Sequence, residues 1–195
     1  MTLAQRIAPE LSQQQRYFQR RERLPLRREH LWKIESGVVR TFTSLENGTV
    51  VTLGLWGVGD IVSRVLSKAD PYYIECLTPV QATAIPVTES DDLPPFFIEH
   101  IHQLQTFLEI VHSRPVDEAL HKLLTLLANK FGSDVSQGQL IEFHLTHQEI
   151  AETIGTTRVT VTRLLKEFEQ QGIIERLNKQ FILLPGHQPF WHYQI

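Results

Sequence analysis

Residues 145–184 read LTHQEIAETIGTTRVTVTRLLKEFEQQGIIERLNKQFILL, and this stretch decides the fold of the region around it. Thr146 followed three residues later by Glu149 has the spacing of a capping box, which begins a helix. Gly155 stands where a tight turn needs a positive φ, a conformation that glycine adopts at little cost. The pattern therefore predicts a first helix that ends in a tight turn.

A second helix is predicted directly after that turn. Thr157 is its N-cap, its span is 158–170, and Gly172 lies just past its end. The apolar residues recur at helical spacing and are expected to point inward: Val161, Leu164, Leu165 and Phe168. Two short apolar runs then flank Asn178-Lys179, which predicts a hairpin of two strands.

The opposite face of the second helix is polar and basic. Arg158, Thr162 and Lys166 form an i, i+4, i+8 row, and Val159 and Arg163 lie beside it. Such a face suits the DNA major groove, because arginine donates bidentately to guanine and valine contacts the thymine methyl group. An ordinary amphipathic helix with a solvated charged face is the alternative. The preceding helix and glycine turn favour DNA binding.

The stretch resembles the winged helix-turn-helix of the CRP/FNR family of bacterial transcription regulators. That family carries a segment of the form T-x-x-[ED]-[IL]-A-x-x-[IVL]-G-x-[ST]-R-x-T-[VI]-x-R, and each fixed position is matched from Thr146 to Arg163. The run TTRVTVTRLL looks most like the nitrogen-control branch of cyanobacteria. The resemblance implies a homodimer on an inverted-repeat operator in double-stranded DNA, with RNA polymerase as a possible further partner.

Nine residues are expected to contact DNA: Gln148, Thr157, Arg158, Val159, Thr160, Thr162, Arg163, Lys166 and Lys179. The two arginines are the predicted base readers, while Gln148, Thr157 and Thr160 hold phosphates together with the helix N-termini. Many family members have a glutamate where this chain has Val159, so a different half-site is expected. The nitrogen-control resemblance suggests a GTA…TAC-like palindrome. Lys179, at the hairpin tip, meets phosphate or serves solubility alone.

The N-terminal half is strand-like. Its residues 31–55 are rich in β-branched and aromatic side chains, and Asn47-Gly48 between two such runs is a strong hairpin signal. Two more strands are predicted at 72–77 and 81–85, so a closed β structure is expected. The fold class is α+β: residues 1–93 form a β-roll (cupin-like, double-stranded β) sensor domain in the family resembled. The arginine cluster within 16–28 contacts acidic partners or is the solvated face of early strands.

A long helix is predicted next, at 94–113, as a dimerisation helix. Apolar residues follow one another with the 4-3-4-3 spacing of a coiled-coil stripe: Phe97, Ile101, Leu104, Leu108 and Val111. A second apolar flank beside the stripe favours a homodimer over a helix buried within one subunit. Pro115 starts another helix, and 114–195 is the predicted winged helix-turn-helix domain. One strand is expected at 140–145, and the C-terminal aromatics are expected to fold back.

The sensor half gives weaker signals. Alignment to the family places Arg64 near the glutamate that cyclic-nucleotide binders use for ribose, and Asp70-Pro71 near their phosphate-binding arginine and serine. A carboxylate repels a cyclic phosphate, so no cyclic nucleotide is expected to bind. Nitrogen-control relatives bind 2-oxoglutarate, for which Arg64 and Arg114 are the available cations. Cys76 is a weak candidate for a haem ligand. No cofactor is predicted, and the effector is unknown.

Composition sets further bounds. The chain has 195 residues, 42% of them hydrophobic, a net charge of −3 and one cysteine. One cysteine allows no internal disulfide and no four-cysteine metal site, which fits a reducing cytoplasm. No apolar run approaches the ~20 residues of a membrane span, so no membrane partner is expected.

Two other functions compete with transcription regulation. A ligand-sensing or adaptor module would use the helix-turn-helix to bind protein, and its affinity would depend little on salt. An enzyme would need paired catalytic groups, a phosphate loop or metal-ligand spacing. No such pattern is found, so no catalytic or metal-binding residues are predicted.

Overall fold

The computed structural model describes residues 14–87 and 93–187, together with Pro189 and Trp191. Of the C-terminal aromatics that were predicted to fold back, Phe190 and Tyr193 lie outside the described residues. The described residues divide into two compact units: one comprises 14–41, 56–87 and 93–100, and the other comprises 42–55 and the described residues from 101 onward.

Among the described residues, seven strands make up the predicted β structure. In chain order they are β1 Gln14–Phe18, β2 His30–Ser36, β3 Val39–Ser44, β4 Val50–Trp56, β5 Ile61–Val62, β6 Tyr73–Cys76 and β7 Val80–Pro86. They form one sheet in the order β1-β7-β2-β5 and a second in the order β4-β3-β6. Along β7 the residues facing inward are Val80, Ala82 and Ala84, and small residues there leave room for larger side chains of neighbouring strands. The expected double-sheet roll is confirmed.

Two glycines fix the turns of this region. Gly37 has a φ of +85°, and a Cβ on it would lie 2.2 Å from the carbonyl oxygen of Pro79, so no larger residue fits. Gly48 has a φ of +82°, and the side-chain oxygen of Asn47 accepts a hydrogen bond from the backbone N–H of Thr49 at 3.0 Å. The hairpin predicted from Asn47-Gly48 is therefore confirmed between β3 and β4.

Two helices follow the strands. α1 spans Leu93–His112 and α2 spans Val116–Phe131. Pro115 is the N-cap of α2, one residue before the helix begins, whereas the sequence placed it inside the first turn. The inward face of α2 is apolar: Leu120, Leu123, Leu124 and Leu127 are all buried.

The remaining elements surround the helix-turn-helix. They are β8 Gly132–Val135, β9 Gly138–Ile141, α3 His147–Ile154, α4 Arg158–Gln170, β10 Ile174–Leu177 and β11 Gln180–Leu183. These strands form one sheet in the order β10-β11-β9-β8. The hairpin predicted after the second helix is confirmed as β10 and β11, and it pairs with a further hairpin.

The strand predicted at 140–145 is misplaced, because β9 ends at Ile141, and its partner β8 was not predicted. The chain forms the hairpin of β8 and β9 instead, and Leu145 is a buried residue in the loop before α3. The segment SDVSQGQL is polar and lacks the apolar alternation that marks a strand. Its strands are specified by tertiary packing: a Cβ on Gly138 would lie 2.1 Å from the carbonyl oxygen of Leu183 on β11.

None of the described helices combines the length and the apolar character needed to span a membrane.

Candidate nucleic-acid interface

The predicted capping box at the start of α3 is present. The Thr146 hydroxyl accepts a hydrogen bond from the Glu149 backbone N–H at 3.1 Å. In return a carboxylate oxygen of Glu149 accepts from the Thr146 backbone N–H at 2.7 Å. Two N–H groups that a helix start would leave unpaired are thereby satisfied. At the other end Gly155 adopts the left-handed conformation, with φ 68° and ψ 45°, and ends α3 as predicted.

The start of α4 is fixed in the same manner. The Thr157 hydroxyl accepts from the Thr160 backbone N–H at 3.1 Å. The predicted inner face of α4 is buried, as are the apolar residues of α3 that face inward: Val161, Leu164, Leu165, Phe168, Ile150, Ala151 and Ile154. This packing holds α4 in one orientation and turns its remaining face to solvent.

That outward face carries the predicted readers. Val159 is 78% exposed and so is accessible to a partner. The side chains of Arg158, Thr162, Arg163 and Lys166 are exposed beside it. The structure thus brings the predicted α4 residues onto one surface.

The other predicted contact residues lie at three further places. Gln148 is exposed in the first turn of α3, and Thr157 and Thr160 stand at the start of α4. Lys179 is exposed in the turn between β10 and β11, next to Asn178, which has a φ of 58°. Helix N-termini attract phosphate oxygens, so these positions suit contacts with the DNA backbone.

Some of these side chains already have partners. Arg163 donates to Glu167 at 2.6 Å, and Gln148 donates to Glu152 at 3.0 Å. Exposed i, i+4 pairs of this kind stabilise a helix by only ~0.3–0.5 kcal/mol, so DNA can replace them. Within the described part of the chain, no hydrogen bond or ion pair engages the side chains of Arg158 or Lys166.

His147 was missed by the sequence reasoning. Its Nδ1 lies 2.8 Å from the hydroxyl oxygen of Thr162 on α4. That hydroxyl donates its proton to the carbonyl oxygen of Arg158 at 2.9 Å, so His147 is assigned as the donor through Nδ1–H. His147, the first residue of α3, is therefore hydrogen-bonded to Thr162 on the outward face of α4. The two residues are fifteen positions apart, so no local sequence pattern indicates the contact.

The surroundings of His147 favour its neutral form. Burial lowers the pKa of His147, and the charges of Arg176 and Arg158 and the nearby His144 lower it further, while Glu169 opposes them. Arg176 is a second cation that the sequence did not single out; it lies on β10 and donates to Glu169 at 2.8 Å. Two arginine charges thus lie near His147, and one of them is paired with Glu169.

The weak effector candidates are engaged with nearby carbonyl groups. Arg64 donates to the Ser67 carbonyl oxygen at 2.6 Å. Arg114 donates to the carbonyl oxygens of Val111 and Ser113, at 3.0 and 2.7 Å. Among the described residues, no cluster of three His, Cys, Asp or Glu side chains has the geometry to hold a metal ion.

Cys76 is fully buried in β6. Burial, with smaller contributions from Glu22 and Glu75, raises the pKa of its thiol to about 12. Because the thiolate is the form that reacts or binds metal, this environment does not favour either chemistry.

We expect Cys76 to react slowly with a thiol reagent such as DTNB in the folded protein, and at the rate of a free cysteine in denaturant. Stopped-flow absorbance at pH 8 measures both rates. The reason is that a thiol with a pKa of about 12 has little thiolate at that pH. Rapid modification of the folded protein would contradict the burial of this side chain.

Comparisons with known proteins agree with this geometry. A family model described as a Crp-like helix-turn-helix domain matches residues 119–186. The chain is 40% identical to the regulatory protein CysR of Synechococcus elongatus, over 84% of this chain and 81% of that protein. It is 29% identical to the global nitrogen regulator of the same organism, over 75% and 73% of the two chains. A CRP-family transcriptional regulator of Thermus thermophilus has the same fold, with a TM-score of 0.73, 23% identity and coverage of 87% and 91%.

The fold and the helix-turn-helix thus define a transcription regulator with a Crp-like DNA-binding domain. The chain belongs to the CRP/FNR family, as its resemblance to that family and to the cyanobacterial nitrogen regulators predicted.

Proposed function

We propose that this regulator binds an inverted-repeat operator in double-stranded DNA as a homodimer, with one α4 in the major groove of each half-site. The observation that carries the proposal is the outward face of α4, where the predicted readers are exposed together. A dimer with twofold symmetry places two such helices about one DNA turn apart, ~34 Å. We also propose the division predicted from the sequence: a sensor at 1–93, a dimerisation helix at 94–113 and the DNA-binding domain at 114–195.

The proposed dimer contact is the apolar stripe of α1. Ile101 and Leu108 are 54% and 59% exposed, although both are large aliphatic residues that normally avoid water. Phe97, Leu104 and the neighbouring Ile98 are exposed as well, whereas Val111, the last residue of the stripe, is half-buried. The other side of the helix is buried, with Phe107 and Ile110 inside. An apolar stripe that its own subunit leaves open, on a coiled-coil spacing, supports a partner helix.

We propose that Arg158 and Arg163 read bases, each donating to guanine O6 and N7. Val159 contacts a thymine methyl group, which its high exposure supports. Thr162 already donates its hydroxyl proton to the Arg158 carbonyl, so its methyl group is the part that remains for base contact. Lys166 and the hairpin-tip Lys179 contact phosphates.

For the sensor we propose that cyclic nucleotides do not bind. The family resembled uses an arginine and a serine where this chain has Asp70-Pro71, and the carboxylate repels a cyclic phosphate. Arg64, the other residue at the aligned site, donates to a carbonyl oxygen of its own turn. Titration calorimetry with cyclic AMP tests this proposal: a micromolar dissociation constant would overturn it.

The salt dependence of DNA binding distinguishes this function from the adaptor alternative. The logarithm of the operator association constant, measured by fluorescence anisotropy, is expected to fall linearly with the logarithm of salt concentration, with a slope of about −0.9 for each phosphate contact. An unrelated duplex that binds much more weakly but shows the same salt slope would identify the part of the binding free energy that does not depend on sequence. A helix-turn-helix that binds protein instead shows no preference between the two duplexes.

We expect operator affinity to rise as pH falls from 7.5 to 5.5. The pKa of His147 is lowered in the free protein, so the ring is neutral near pH 7. A DNA phosphate beside α3 favours the imidazolium ion, so binding takes up a proton, and lower pH favours the complex. The measurement is operator affinity across this pH range.

The matched control for this prediction is His147→Gln, which keeps a hydrogen-bond donor for Thr162 but does not titrate. Its affinity is expected to vary less with pH than that of the native protein. If the two proteins show the same pH profile, His147 is not the group that takes up the proton.

A further inference from the structure

A buried lysine connects α1 to α2. The side chain of Lys122, on α2, is 3% exposed, and its Nζ lies 2.7 Å from a carboxylate oxygen of Glu109 and 3.3 Å from one of Glu118. Glu118 is one turn earlier on the same helix, whereas Glu109 belongs to α1. One of the two ion pairs therefore joins two helices, and the other lies within one helix.

The interhelical pair has little freedom. Burial lowers the pKa of Lys122, but the hydrogen bonds and charges of the two glutamates outweigh that effect and raise it, so the lysine is charged at neutral pH. The Glu109 side chain is itself only 15% exposed. Separating the two groups would break a buried ion pair, which costs more than breaking an exposed pair. The contact therefore holds α2 at one position against α1.

The same part of α2 contacts the DNA-binding elements. The ring of His121, next to Lys122, packs edge-on against Phe168 of α4, with centroids 5.8 Å apart. The Trp191 ring lies 5.2 Å from the Lys122 Nζ, and the His187 carbonyl oxygen accepts from His121 Nε2 at 2.8 Å. Contacts thus lead from α1 through α2 to the inner face of α4.

We propose that the Glu109–Lys122 ion pair determines which half-site spacing the dimer accepts. The proposal rests on the proposed function, in which α1 carries the dimer contact and α4 reads DNA. If α1 is fixed by its partner, the position of α2 against α1 sets the distance and angle between the two α4 helices. Adding one base pair between half-sites moves them about 3.4 Å apart and rotates them by about a tenth of a turn. A rigid junction cannot follow that change.

The test uses operators with identical half-sites whose centre spacing is the preferred one or differs by one base pair in either direction. Dissociation constants are measured for the full-length native protein and for Glu109→Ala, Lys122→Met and Glu118→Ala. The native protein is expected to lose about tenfold or more in affinity on each altered spacing. The variants at Glu109 and Lys122 are expected to lose about threefold or less.

Glu118→Ala is the matched control. It removes a carboxylate from the same ammonium group but breaks no contact with α1, so it should keep the native spacing preference. A variant that only loosens the fold would weaken binding at every spacing equally, which separates a positioning role from a structural one. If Lys122→Met does not fold, Glu109→Ala, which leaves Lys122 paired with Glu118, decides the question.

The proposal is overturned if a folded Glu109→Ala protein keeps the native dependence of affinity on half-site spacing. It is also overturned if Glu118→Ala loses this dependence as much as Glu109→Ala does. Indifference of the native protein to spacing would overturn it too. If the native protein prefers no duplex at any spacing, the proposed function itself fails, and that result is distinguishable from the others.

Discussion

Replacing Leu108 with glutamate is expected to weaken operator binding by about a hundredfold to ten-thousandfold. A dimer binds its second half-site as an intramolecular step, and losing that step removes an avidity of this size. Leu108 is 59% exposed within its own subunit, so the fold of one subunit tolerates a carboxylate there. Two glutamates facing each other across a dimer would be repelled and desolvated. Sedimentation equilibrium measures the loss of the dimer, and fluorescence anisotropy measures the loss of operator affinity.

Gln105→Glu is the control for this substitution. Gln105 is exposed on the same helix but lies off the apolar stripe, so the variant carries the same added charge and should remain a dimer with native affinity. If the Leu108→Glu variant is still a dimer and binds the operator with native affinity, the proposed role of α1 is contradicted.

Arg158→Ala is expected to cost ~1–3 kcal/mol of operator binding and to relax the preference at one base pair of each half-site. The side chain is exposed at the first residue of α4. Within the described residues it makes no hydrogen bond or ion pair that the substitution would break, so the folded protein should be as stable as the native one. Competition binding with operators mutated one position at a time measures the loss of preference.

Arg27→Ala controls for net charge. Arg27 is exposed in the loop after β1, and its removal changes the charge of the chain by the same amount. It should lower affinity for all duplexes equally or not at all. If Arg158→Ala shows that same uniform loss, with base preference unchanged, then Arg158 is a phosphate contact and not a base reader.

The helix-turn-helix could be predicted from the sequence because its determinants are local. The capping box of Thr146 and Glu149 and the left-handed Gly155 each lie within a few residues of the structure that they specify. The inner face of α4 follows from the 3.6-residue period alone. The Asn47-Gly48 hairpin is local as well, since the short connection of residues 45–49 determines that β3 and β4 pair.

The missed features all depend on contacts between residues distant in sequence. The hairpin of β8 and β9 depends on the pairing of β9 with β11, more than forty residues later. Its own residues are too polar to predict a strand from the sequence. His147 and Thr162 lie fifteen residues apart on different helices. From the sequence alone, Lys122 would be placed on the exposed face of a helix. In the structure it is buried and paired with Glu109 of α1. Local periodicity carries no information about such pairs.

Selection of bound sequences from a pool of random duplexes tests the central claim most directly. We expect the native protein to enrich an inverted repeat whose half-site centres lie about one DNA turn, ~10–10.5 base pairs, apart. Arg158→Ala should enrich the same repeat with one position degenerate in each half-site. Enrichment of a single site without twofold symmetry, or of no sequence at all, would contradict a dimer that reads DNA through α4.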